Sequence, residues 1–181
     1  SKLKEEITLL EKNKSEIQVQ YDQQAVKVDS AYSEFEPIQS EYESLKSNID
    51  NRQIEIDNEY VSINNRLAEI SSEIGDLRKE LSSIRFRSFL SLDDHLRARI
   101  DEINDAIENL QSESSNLEKR LSEINDLQKE LDEDAGKLAG LESSYYQLQS
   151  NYESEKSILS DFRQSLDELN ANLEKKEEEK T

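Results

Sequence analysis

Residues 84–96 read Ile84-Arg85-Phe86-Arg87-Ser88-Phe89-Leu90-Ser91-Leu92-Asp93-Asp94-His95-Leu96. On either side of this stretch apolar residues recur at steps of three and four, and within it they cannot all keep to one stripe. Ser91 stands three residues before Asp94, a Ser-x-x-acid spacing that caps a new helix. Asp93 and Asp94 then fall near its first turn, where acids are favoured. Arg85 and Arg87 sit where a preceding helix would end, and cations are favoured at that end. The stretch therefore predicts a turn at 86–91 between a first helix over 1–85 and a second over 92–181. No Gly, Pro or Asn-Gly pair marks the turn. A four-four step through Ser88 and Leu92 is the alternative, and it would give one continuous helix in a parallel dimeric coiled coil.

Outward from the midpoint the pattern is regular. The first arm carries Leu3, Ile7, Leu10, Ile17, Tyr21, Val28, Ala31, Phe35, Ile38, Tyr42, Leu45, Ile49 and Ile56. After a four-four step it resumes at Tyr60, Ile63, Leu67, Ile70, Ile74, Leu77, Leu81 and Ile84. The second arm runs from Leu96 and Ile100 through Ile124, Gln128, Leu131, Ala135 and Leu138. A three-three step leads on to Leu141, Tyr145, Leu148, Tyr152, Glu155, Leu159, Phe162, Leu166, Leu169 and Leu173. A period near 3.5 sustained over so many heptads specifies a coiled coil, with the irregular steps as a stutter and a stammer. The fold class expected is all-α, a long antiparallel coiled-coil helical hairpin. Pro37 lacks an N–H and predicts a kink near 37 in the first arm.

Polar residues interrupt the stripes, among them five long ones: Lys14, Gln24 and Arg52 on the first arm, Gln128 and Glu155 on the second. In a hairpin centred near residue 90, facing residues have numbers adding to about 180, as antiparallel register demands. That places Arg52 beside Gln128, Gln24 beside Glu155, Ala31 beside Leu148, Ala135 beside Leu45 and Phe35 beside Tyr145. Polar then meets polar and small meets large, as a filled seam requires. A parallel in-register dimer would instead face Lys14, Arg52 and Glu155 with their own copies, and like charges at a seam repel. These five residues are expected to set register. At 1.5 Å per residue an arm of about 80 residues would span ~120 Å, against ~270 Å for one continuous helix. Tyr32, Tyr146, Val19, Val26 and Val61 lie off the main stripe and are candidates for association through side faces.

Composition narrows the chemistry. The 181 residues carry 42 acidic and 23 basic side chains, a net charge of −19, and only 33% are hydrophobic. A globular domain is about 45–50% apolar, so no large three-dimensional core is expected. With no Cys there is neither disulfide nor thiolate metal site. No run approaches the ~20 apolar residues of a membrane span, and Ser1–Leu10 shows no signal-peptide pattern. An intracellular location, cytoplasmic or nuclear, without membrane contact is the expectation. Three Gly in the whole chain leave no phosphate-cradling loop. His95, the single histidine, follows two acids but reads as a solvated side chain rather than a ligand. Glu130–Asp134 lacks the loop geometry of a calcium site, and the terminal Glu174–Lys180 run reads as a charged helix end. No metal, cofactor or catalytic residue is expected, and no enzyme.

The midpoint differs chemically from the acidic arms. Between Leu77 and Ile100 lie Arg78, Lys79, Arg85, Arg87, Arg97 and Arg99 against Glu80, Asp93 and Asp94. Arg85, Phe86, Arg87 and Phe89 are the candidate contact residues at the hairpin tip. They suit an acidic protein surface, or nucleic acid through phosphate contact and stacking at the tip alone. The bland reading is that the cations complement a helix end and the Phe side chains plug the coil. Leu67-Ala-Glu-Ile-Ser-Ser-Glu-Ile-Gly-Asp-Leu-Arg-Lys-Glu-Leu81 and Leu117-Glu-Lys-Arg-Leu-Ser-Glu-Ile-Asn-Asp-Leu127 resemble arm segments of chromosome-maintenance ATPases of the SMC and Rad50 type. That resemblance implies an intramolecular antiparallel arm and work in chromosome organisation. The chain departs from the family in having no Cys-x-x-Cys hook, no hinge domain and no ATPase motif. The function expected is a non-enzymatic spacer, lever or docking arm of a larger assembly, with a protein partner and with self-association open. The alternative is a parallel homodimeric rod of a cytoskeletal or tethering protein.

Overall fold

A computed structural model describes residues 1–90 and 93–181, the side chains of residues 88–90 excepted. The chain is all-α: two long helices, α1 (Lys2–Leu90) and α2 (Asp94–Lys180), pack against each other as an antiparallel hairpin. No strand occurs among the described residues. The two helices thus pair within one chain, as the hairpin expectation requires. α1 continues five residues beyond the expected end at Arg85, because Arg, Phe and Leu are tolerated in a helix and nothing there breaks it. α2 begins at Asp94, and its N-cap is Asp93. The Leu96 N–H donates to Asp93 Oδ1 at 2.8 Å and the Arg97 N–H to the Asp93 carbonyl at 3.1 Å. Asp caps as well as Ser does, and it adds a negative charge at the positive helix end. The cap expected at Ser91 lies outside the described residues. α1 is helical through Pro37, although the ring withdraws the N–H that would bond the Ser33 carbonyl.

Packing divides the chain into two units, Ser1–Lys46 with Gly136–Thr181, and Ser47–Ala135. In the second, Ile56, Ile63, Ile124 and Leu131 form one buried cluster, covered by Ile49, Leu67, Leu117, Leu121 and Leu127. Leu81, Ile84 and Ile103 form another, under Leu77, Leu96, Ile100 and Ile107. In the first, Ile7, Ala31, Phe35, Tyr42, Leu166 and Leu173 are buried. There Phe35 and Tyr145 meet with ring centroids 5.5 Å apart, as the register rule requires, and Tyr42 stacks on Tyr145 at 4.6 Å.

The buried residues explain the stutter. Ile7, Phe35, Tyr42, Ile56, Ile63, Ile70 and Ile84 are all buried and all share one heptad phase on α1. Ile103, Ile124, Leu131, Leu166 and Leu173 share one on α2. Only the companion track on α1 changes, from the phase of Gln24 and Ala31 to that of Leu67 and Leu81. Three expected seam positions fall outside. Lys14 is exposed, as are Ala135 and Tyr60, while their neighbours Asn13, Asp134 and Glu59 are half-buried. Lys14 keeps its strongly hydrated ammonium in water. Tyr60 keeps its polar ring edge there too, and Ala135 yields its place to a carboxylate that has an ion-pair partner.

Candidate functional site

Two features stand apart from apolar packing: the polar groups along the seam and the basic end of the hairpin. Gln24 is 5% exposed. Its Nε2 donates to the Glu155 carbonyl at 3.0 Å and also to the Glu155 carboxylate. The expected pair is therefore formed, and it satisfies an amide that would be expensive to bury alone. Arg52 does not meet Gln128. Its Nη1 reaches Asp134 Oδ2 at 2.7 Å and Asn48 Oδ1 at 3.5 Å. Gln128 instead exchanges amide hydrogen bonds with Gln53 at 2.9 and 3.0 Å. A half-buried guanidinium beside a neutral amide would leave its charge unpaired, so the longer reach to a carboxylate wins. Exposed Lys14 borders a groove of about 560 Å³ with Leu173, Glu174 and Glu177.

Sequence reasoning missed a third set. Arg66 grips Glu113 through Nε and Nη2 at 2.7 and 2.9 Å, Arg99 grips Glu80 at 2.8 and 2.9 Å, and Arg120 grips Glu59 at 2.5 and 3.0 Å. Each arginine's Nη1 also bonds the glutamate three residues on: Glu69 at 3.2 Å, Glu102 at 3.1 Å and Glu123 at 2.9 Å. Arg-x-x-Glu occurs four times in the sequence, and three of the four, Arg66–Glu69, Arg99–Glu102 and Arg120–Glu123, form this clamp, whereas Arg52 of Arg52–Glu55 turns to Asp134. Glu59, Arg66 and Glu80 continue the track that Gln24 and Arg52 occupy before the stutter. Once that track leaves the seam it becomes a charged flank. The arginine hydrogen bonds hold Glu59, Glu80 and Glu113 below the usual carboxylate range, against a smaller desolvation effect. They raise Arg66, Arg99 and Arg120 in turn. Glu6, above all, raises Lys176 through a 3.1 Å bridge. Such partly exposed pairs add little stability singly, but all three are possible only with the helices antiparallel and in this register.

At the hairpin end Arg85, Phe86 and Arg87 are exposed, Phe86 at 75%. The Phe89 side chain lies outside the described residues. Arg78, Lys79 and Arg97 are exposed on the neighbouring turns, whereas Arg99 is engaged by Glu80 and Glu102. Among the described residues, Phe86 therefore lies largely in solvent rather than packed into the coil. His95 is exposed. Among the described residues no three His, Asp or Glu side chains gather as metal ligands, and no helix is long and apolar enough to cross a membrane. No protein-family model, curated protein or solved structure matches the chain. The arrangement itself supports two physical tasks, holding two helices in one register and presenting cations and an aromatic ring at their end.

Proposed function

We propose that the chain is a non-enzymatic structural arm, a spacer or lever in a larger intracellular assembly, whose basic end meets a protein partner. The observation that carries this reading is the seam closed within one chain and locked by Arg–Glu pairs along its flank. The buried clusters and the Arg–Glu clamps both lie between the two helices, which suits holding a distance rather than building a reaction centre. The end bearing Arg85, Phe86 and Arg87 is the docking element in this reading, through an acidic protein surface rather than nucleic acid, since the arms behind it are acidic. In this reading the assembly is chromosome-associated, as the resemblance of Leu67–Leu81 and Leu117–Leu127 to SMC and Rad50 arms implies.

Paired heptad deletion tests the spacer. Residues 57–63 and 117–123 face each other in register and contain the partners Glu59 and Arg120. Removing both segments shortens the arm and keeps the seam, whereas removing 57–63 alone leaves Arg120 without Glu59. In cells that lack the protein, the single deletion is expected to fail to restore its function. Successive paired deletions should lose function stepwise while circular dichroism and melting stay near wild type. Full function after several paired deletions would mean that length is not what the arm provides.

A further inference from the structure

The outward face of α1 carries a second heptad track that the hairpin does not use. In the unit Ser47–Ala135 it runs Ser47, Asn51, Ile54, Asn58, Val61, Asn65, Ala68 and Ser72, all exposed, at alternating steps of four and three. None of these residues is charged, in a chain of which 36% is charged. Ile54 and Val61 are 58% and 55% exposed and share a heptad phase opposite the buried one of Ile56 and Ile63. A solvated outer face has no reason to exclude charge for so many turns. A helix–helix seam does, because charges at its centre must be desolvated.

The rows beside the track identify the occupant. Asp50 and Asp57 lie along one side, Glu55, Glu69 and Asp76 along the other, and no Lys or Arg stands among them before Arg78. Gln53 donates to Asp57 and Arg66 to Glu69, but both carboxylates stay at the surface. A second copy docked by this same face would set acid against acid. We propose that this face of α1 binds an amphipathic helix of another protein, with a narrow stripe of small and aliphatic residues flanked by Lys and Arg. The inference goes beyond the spacer reading and does not depend on the hairpin end.

The test uses the full chain and a synthetic four-heptad helical peptide with Ala and Ile at its seam positions and Lys beside them. A second peptide carries Glu in place of Lys. By calorimetry the lysine peptide is expected to bind wild type and the glutamate peptide not to. I54N/V61N leaves every charge in place and is expected to weaken binding at least tenfold with an unchanged melting temperature. Equal binding by wild type and I54N/V61N would reduce the interaction to adsorption on an acidic rod and overturn the proposal. Wild-type self-association that I54N/V61N abolishes would overturn it too, in favour of a second copy.

Discussion

At the scale of single residues, the seam is built from a few side chains that water does not reach. Ile70, Ile103, Ile124 and Leu131 are the largest of these, and Ile103 is 0% exposed. A two-helix seam has no second layer to collapse into a vacancy. Ile103→Ala is therefore expected to lower unfolding free energy by about 2–5 kcal/mol, measured by urea denaturation. Substitution of exposed Ile54 should stay within about 0.5 kcal/mol. Equal effects at the two sites would contradict the assigned phase. The same distinction explains which register residues the sequence revealed. Gln24 and Glu155 are short enough to meet only what lies opposite, so numbering alone paired them. Arg52 was misassigned to Gln128 because a long guanidinium selects among several neighbours by charge.

At the scale of the two helices, the flank pairs carry the pH dependence. Glu59, Glu80 and Glu113 are held below the ordinary carboxylate value of 4.5 in the fold by their arginine hydrogen bonds. A carboxylate lowered by folding contributes stability that is present above its unfolded value and lost as pH falls through the folded one. Against this, protonating the other acids relieves repulsion in a chain of net charge −19. The comparison that separates the two is E59Q/E80Q/E113Q against D50N/E55Q/D76N, which removes the same number of charges elsewhere. At pH 7 the flank variant should melt several degrees below the control, and the gap should close as pH falls below 4.5. A gap independent of pH would show that charge pairing is not what these glutamates supply. This ladder was legible as Arg-x-x-Glu repeats, but its phase was not, because the stutter moves one track out of the seam and leaves the other in place.

At the scale of the whole chain, the antiparallel order predicts how it cross-links. The protein contains no Cys, so Q53C/Q128C introduces the only two thiols, at side chains that bond each other. A short bismaleimide should join them within one chain and yield no two-chain product on a denaturing gel. A dominant two-chain product would mean that the helices pair between molecules.

The all-α class and the two antiparallel arms followed from the sequence by itself, whereas α1 runs on through 86–90 of the expected turn. An apolar period near 3.5, with charge elsewhere and few Gly or Pro, leaves a chain no other way to bury its side chains. The register near 180 followed as well, since the midpoint fixes it. What only the tertiary structure decided were the choices among neighbours: Asp134 over Ala135, Gln53 over Arg52 as the partner of Gln128, Asp93 as the cap, Lys14 in water. A heptad pattern fixes which face of a helix is inward. It does not say how far a flexible charged side chain will reach across the seam, or which carboxylate it will find there.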